Sequence, residues 1–269
     1  MVGVVNHNFR SVGKCIYCGS ESGLSKEHII PFGLGGNSIL YKASCKDCAA
    51  ITSKFERDVL KGTYDDFRTS MDFPSRKKAN RPESLTLSVE TNDGEKKELE
   101  LPPEDHFPFL IMVEYEEPGK LVGRDYVGIS VIATSIYGIP EDLEKFRTKY
   151  NVKSITTKAE FEANSLPRLL SKIAYGYAVG RYSLENIEEN YLVPYILDEK
   201  SEGIGNYVGT AKDKILDGHQ KDHMTQFYLS DEGEILCRVK LFAHFDTPEY
   251  LVLVGRLKKE AIKEFKDKI

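Results

Sequence analysis

Apolar residues recur along this chain in two rhythms, and each predicts a kind of element. Residues 84–90 and 96–101 alternate apolar and polar positions on either side of Asn92, Asp93 and Gly94, a strong hairpin signal. Residues 109–113 and 127–133 predict further strands, and residues 226–229, 235–243 and 250–254 predict an antiparallel sheet near the end. Helical spacing places Ile51, Phe55, Val59 and Leu60 on one face of a helix over residues 51–60. Leu169, Leu170, Ile173, Ala174, Tyr177 and Ala178 predict the main core helix over residues 166–179. A shorter helix over 140–150 opens on Pro140, and residues 257–266 predict a closing helix. The mixture reads as an α+β fold with antiparallel strands.

Residues 1–14 show no strong pattern, and residues 63–83 are polar and turn-rich with a basic cluster at Arg76, Lys77, Lys78 and Arg81. These breaks suggest a small module over 1–62, a basic linker over 63–83 and a larger α+β domain over 84–269. Charge follows the same division: residues 1–81 hold 13 Lys+Arg against 8 Asp+Glu, and the rest hold 24 against 34. A basic module ahead of an acidic remainder suits phosphate binding at one end only. No apolar run is long enough for a membrane span and no secretory signal opens the chain, so a cytoplasmic location and no membrane partner are expected.

Four of the five cysteines form two Cys-x-x-Cys pairs, Cys15/Cys18 and Cys45/Cys48. In a chain without a secretory signal such pairs read as metal ligands, and four thiolates are a tetrahedral structural zinc set. Zinc would also stabilise a segment too poor in core residues to fold on apolar burial. Cys237, alone in an alternating run, reads as a small buried filler. His219 and His223, four apart beside Asp217 and Asp222, read as ordinary loop histidines because Gly218 interrupts any helix there.

The two knuckles are separated by 26 residues, more than a plain zinc ribbon needs, and the excess carries Glu27 and His28. Near a strand end a carboxylate can hold a metal while the neighbouring imidazole faces a water. Ile29 and Ile30 would anchor the segment, Pro31 would end it, and Gly33, Gly35 and Gly36 would permit a tight return.

Cys-x-x-Cys, then Glu27-His28-Ile29 with Pro31 and Gly35-Gly36, then Cys-x-x-Cys opening a helix, resembles the zinc-stapled HNH endonuclease family with its ββα-metal core. The resemblance covers about residues 15–60. It implies a small zinc-bound ββα-metal module in which His28 is the general base and Glu27 holds a catalytic Mg²⁺ or Mn²⁺. It further implies hydrolysis of DNA phosphodiesters to 5′-phosphate and 3′-hydroxyl ends. The chemistry is coherent: an imidazole titrating near neutrality can deprotonate water, and a divalent cation can polarise the phosphate.

Two positions depart from the pattern. Ala49 stands where the family places a helix ligand, so Thr52 or, better suited to a hard cation, Glu56 is the expected replacement. Asn37 follows the Gly-Gly directly, where it either braces the loop presenting His28 or occupies a turn. Lys26, Lys42, Lys46 and Lys54 are candidate phosphate contacts. The leading expectation is therefore a metal-dependent DNA endonuclease. The alternative is a non-catalytic zinc module that binds nucleic acid or protein, and the acidic C-terminal domain could act as a sensor or interaction platform controlling a nuclease.

Overall fold

The computed structural model describes residues 9–76, 78–157, 162–217 and 223–266, so His219 and Asp222 lie outside the described residues. The α+β expectation holds: four antiparallel sheets combine with seven helices among the described residues. No helix there is long and apolar enough to cross a membrane.

The N-terminal module is a hairpin of β1 (Ser25–His28) and β2 (Ile39–Ser44) followed by α1 (Lys46–Asp58). Between the strands the chain turns through Phe32–Leu34 and leaves it at Gly35, whose φ of +83° favours glycine. At Gly36 a Cβ would lie 2.1 Å from the Ile30 carbonyl oxygen, so this close return excludes a side chain. A π-helical turn, Val59–Thr63, leads into α2 (Asp65–Ser70).

The hairpin expected around Asn92–Gly94 forms as β3 (Leu85–Thr91) and β4 (Lys96–Leu101). Next come β5 (Leu110–Tyr115), α3 (Gly119–Val122), β6 (Val131–Tyr137), α4 (Pro140–Tyr150) and β7 (Val152–Thr156), with β7 joining β3 and β6 joining β5. The core helix runs longer than expected, as α5 (Ser165–Tyr182). It is followed by β8 (Ile187–Asn190), α6 (Val193–Leu197), β9 (Val208–Thr210), β10 (His223–Leu229), β11 (Glu234–Leu241), β12 (Glu249–Leu257) and α7 (Lys259–Lys266). The last sheet runs β10-β11-β12, and the outer edge of β12 is shared by β9 at its start and β8 at its end. Cys237 is buried on β11, in agreement with its reading as a filler.

Residues 63–83 do not separate two cores, in contrast to the expected division. One apolar cluster runs from Ile16, Ile29 and Phe55 of the module through Leu169 and Ile173 of α5 to Val239 and Val252 of the last sheet. The physical reason is α5: 15 of its 18 residues are buried, so both of its sides need partners. One side meets the last sheet and the other meets α1 and the module, where the Tyr175 hydroxyl donates to the Ile16 carbonyl at 2.6 Å. A second, smaller core of Leu87, Val89, Leu101, Phe107, Phe146 and Val152 belongs to β3, β4, β7 and α4.

Candidate metal centre and phosphate cleft

The two knuckles meet as the spacing requires. Cys15 and Cys18 sit in a tight turn before β1, closed by the Gly19 N–H to the Cys15 carbonyl at 2.9 Å. Cys45 caps α1 and Cys48 lies in its first turn. All four Sγ atoms lie within 4.8 Å of one another, and Cys18 and Cys45 are 3.6 Å apart. A disulfide would bring two sulfurs to about 2.05 Å, whereas tetrahedral zinc with bonds of about 2.3 Å needs sulfurs roughly 3.8 Å apart. The cluster therefore fits a tetrahedral ion such as zinc. The Cys48 backbone N–H draws the Cys45 thiol down to about 7 against the opposing effect of burial. Burial pushes the Cys48 thiol up.

Alternation along β1 separates the adjacent Glu27 and His28. Glu27 turns inward, 6% exposed, and Glu56 comes to it from α1. Of the two helix candidates, Glu56 is the one brought beside Glu27, whereas the buried Thr52 hydroxyl donates to the Ala49 carbonyl at 3.3 Å. What joins the two carboxylates is the ammonium of Lys172, from the middle of α5. Its Nζ lies 2.8 Å from Glu27 Oε1 and 2.9 Å from Glu56 Oε1, and it also meets the His28 and Ile29 carbonyls. The Tyr17 hydroxyl donates to the same Glu27 oxygen at 3.3 Å. Burial disfavours the lysine's charge, but Glu27 and then Glu56 outweigh it, so the ammonium is held above its ordinary range. Burial first, then Glu27 and Glu56, push the Tyr17 phenol far upward.

This arrangement does not fit the Mg²⁺ or Mn²⁺ expected between Glu27 and Glu56. Mg²⁺ needs oxygens at about 2.0–2.1 Å and keeps several waters, and the lysine ammonium stands in that space. Nothing in residues 15–60 signals Lys172. Its own helix does: a lysine inside a mostly apolar and mostly buried segment must find anions, and the partners lie 145 and 116 positions away.

His28 is half-buried with its ring edge-on to Phe32 at 6.0 Å between centroids, and its Nδ1 is buried without a hydrogen bond among the described residues. Burial first, then the cations Lys26, Lys172 and Arg76, lower its pKa from 6.5 against the opposing Gly36 backbone. The imidazole is therefore neutral at pH 7 and able to accept a proton. Asn37 is exposed and makes no hydrogen bond among the described residues. The tie across the loop is instead backbone, from the Ile29 N–H to the Ser38 carbonyl at 3.1 Å.

A cleft of about 520 Å³ opens at Phe32, the residue whose ring meets His28 edge-on, and is walled by Pro31–Gly33, the second half of α1, α2, Pro74–Arg76 and Asn80–Pro82; His28 itself does not line it. Arg57, Lys61, Arg68, Arg76 and Arg81 line it, with Glu56 and Asp65. Residues 63–83, expected as a linker, thus contribute α2 and one wall. Arg68 is buried and structural: its guanidinium donates to the Gly33 carbonyl at 2.6 Å and the Leu60 carbonyl at 2.9 Å, tying the loop to the π-helical turn. Lys61 pairs with Asp65, and Arg81 with Asp72 and the Phe73 carbonyl. Arg57 and Arg76 make no hydrogen bond or ion pair among the described residues. Phe32, 36% exposed, stands at the rim. Lys26, Lys42, Lys46 and Lys54 are exposed but none lines the cleft, and Lys54 pairs with Glu199 at 2.7 Å. Lys77 lies outside the described residues, as does the side chain of Lys78. His223 is engaged through both ring nitrogens, with the Leu34 carbonyl at 2.6 Å and the Phe242 N–H at 3.2 Å.

Compared with family models, with curated proteins and with solved structures, the chain matches none.

Proposed function

We propose that the four-cysteine cluster holds structural zinc and that the chain binds DNA through the cleft lined by Phe32, Arg57 and Arg76. One observation carries this reading: Arg57 and Arg76, without hydrogen-bond or ion-pair partners among the described residues, line a cavity that also bears the exposed ring of Phe32. Guanidinium groups engage phosphates in pairs of hydrogen bonds, and an exposed ring at the rim can stack on a base. The zinc knuckles and Arg68 hold the loop that carries Phe32, so the cleft needs little ordering on binding. The test is fluorescence anisotropy with labelled single- and double-stranded DNA across a salt series. Arg57→Ala and Arg76→Ala should each weaken binding several-fold and reduce the salt slope by about one. Affinities that match the unaltered protein in both variants would sink the proposal.

A second reading, hydrolysis of the bound phosphodiester, is favoured by the neutral imidazole of His28, which packs edge-on against the cleft residue Phe32. In this reading His28 takes a proton from water as its oxygen attacks phosphorus. The P–O3′ bond breaks, the 3′ oxygen gains a proton from solvent, and Arg57 and Arg76 supply the charge that holds the phosphate. Plasmid nicking, measured in chelator and with added Mg²⁺ or Mn²⁺, tests it. Activity abolished by His28→Ala supports the role of His28, and no nicking under any condition leaves the protein as a binder.

A further inference from the structure

We infer that Lys172 is the chain's own replacement for a second metal ion, closing the space between Glu27 and Glu56 to divalent cations while locking the cysteine module onto α5. The Lys172 side chain is 1% exposed and that of Glu27 is 7% exposed, so the pair meets away from solvent. Lys172 projects from α5, and its ammonium reaches two segments at once: β1 and the residue after it, through Glu27 and the backbone carbonyls of His28 and Ile29, and α1 through Glu56. Such a set of partners surrounds a compact point charge as a coordination shell would. A divalent ion entering the same space would face an ammonium at contact distance, and the lysine has no open route outward because its helix is covered on both sides. From α1 no further side-chain oxygen is offered to offset this at positions 49 and 52, since Ala49 carries only a methyl group and the Thr52 hydroxyl is turned back on its own helix.

The inference is independent of DNA binding, so failure of the cleft proposal leaves it standing. The test is a Mn²⁺ titration of the zinc-loaded full chain, followed by electron paramagnetic resonance. The unaltered protein should bind no Mn²⁺ at concentrations where Lys172→Ala binds one ion at least about tenfold more tightly, and adding Glu27→Gln should remove that gain. Saturable Mn²⁺ binding by the unaltered protein that Glu27→Gln abolishes would overturn the inference. So would the absence of Mn²⁺ binding from a folded Lys172→Ala variant, because Lys172 would then not be what closes the site. Should Lys172→Ala fail to fold, the ¹⁵N resonance of the Lys172 ammonium in the unaltered protein decides. A slowly exchanging signal unbroadened by Mn²⁺ supports the inference, and paramagnetic broadening of that signal defeats it.

Discussion

The N-terminal module gathers ligand-type side chains in two places, the four-cysteine corner and the Glu27–Glu56 pair, and the two reach electrical balance by opposite routes. At the corner the sulfurs face one another, 3.6 Å apart at one pair, with backbone N–H groups as their polar neighbours. Thiolates so placed repel unless an external cation joins them. At the pair the cation is already part of the chain, with Lys172 within 2.9 Å of each carboxylate. The difference teaches that ligand spacing makes a metal site only where no side chain from elsewhere in the fold supplies the charge first. Two Cys-x-x-Cys pairs fix their own geometry through local turns, whereas a glutamate pair is open to whatever the rest of the molecule brings against it.

Loss of the ion should expose the contrast most strongly. Cys48→Ser, or treatment with a strong chelator, should destabilise the protein by more than about 4 kcal/mol, as loss of a structural metal does. Metal content by mass spectrometry together with urea unfolding measures this. An unchanged midpoint in the metal-free protein would mean that the cysteine corner needs no ion and would erase the comparison.

Breaking the internal cluster comes next. Lys172→Met leaves two carboxylates facing each other in the interior and should cost roughly 3–5 kcal/mol. The triple variant with Glu27→Gln and Glu56→Gln should recover a substantial part of that loss, because no unpaired charge remains. Equal stability of the single and triple variants would show that packing, not charge, governs this place.

The pH axis sharpens the comparison with a smaller effect. The pKa of Lys172 is raised, so the stability it contributes is fully present below the unfolded value of about 10.4 and is lost only as pH rises toward the folded one. The triad lysine should therefore leave no mark between pH 7 and 10. The opposite sign belongs to His28 and to His106, which is buried beside Phe109 with neither ring nitrogen hydrogen-bonded among the described residues. Burial is the leading cause that lowers both pKa values. Their unfolded forms take up protons first, so stability should fall as pH drops below about 6.5. Melting temperatures at pH 7.5 and 5.5 should show that loss, and His106→Phe should reduce it. An unchanged difference in His106→Phe would assign the acid sensitivity elsewhere.

Smallest of all are the surface charges. Lys54→Ala, which removes an exposed pair with Glu199, and Asn37→Ala should each change stability by less than about 0.5 kcal/mol. Lys54→Ala should also leave DNA affinity near that of the unaltered protein, in contrast to Arg57→Ala. A large loss of affinity in Lys54→Ala would move the binding surface away from the cleft.

Much of this molecule was legible along the chain, for local reasons. Alternation and a turn signal were enough to read the β3–β4 hairpin, and the apolar stripe around Leu169 and Ile173 was enough to read α5. The helix carrying Phe55 and Val59 differs slightly in phase from its apolar spacing. Ile51 is only partly covered, because the helix begins at Lys46 with Cys48 turned toward the other thiols, and Thr52 takes the buried side. The reading of residues 63–83 as a linker missed α2, because Phe67 and Phe73 bury themselves against Phe242 from the far end of the chain.

By itself the sequence determined what depends on near neighbours: the paired thiols on their turns, the strand that sets Glu27 and His28 on opposite faces, and the glycines that let the loop return. Only the tertiary structure decided which cation stands between Glu27 and Glu56, which arginines line the cleft without a partner among the described residues, and that module and sheet share one core. The reason is one of range. Turn and strand geometry is set within a few residues, whereas the charge reaching a buried carboxylate comes from whichever helix the core packs against it, here from a lysine 145 positions away from Glu27.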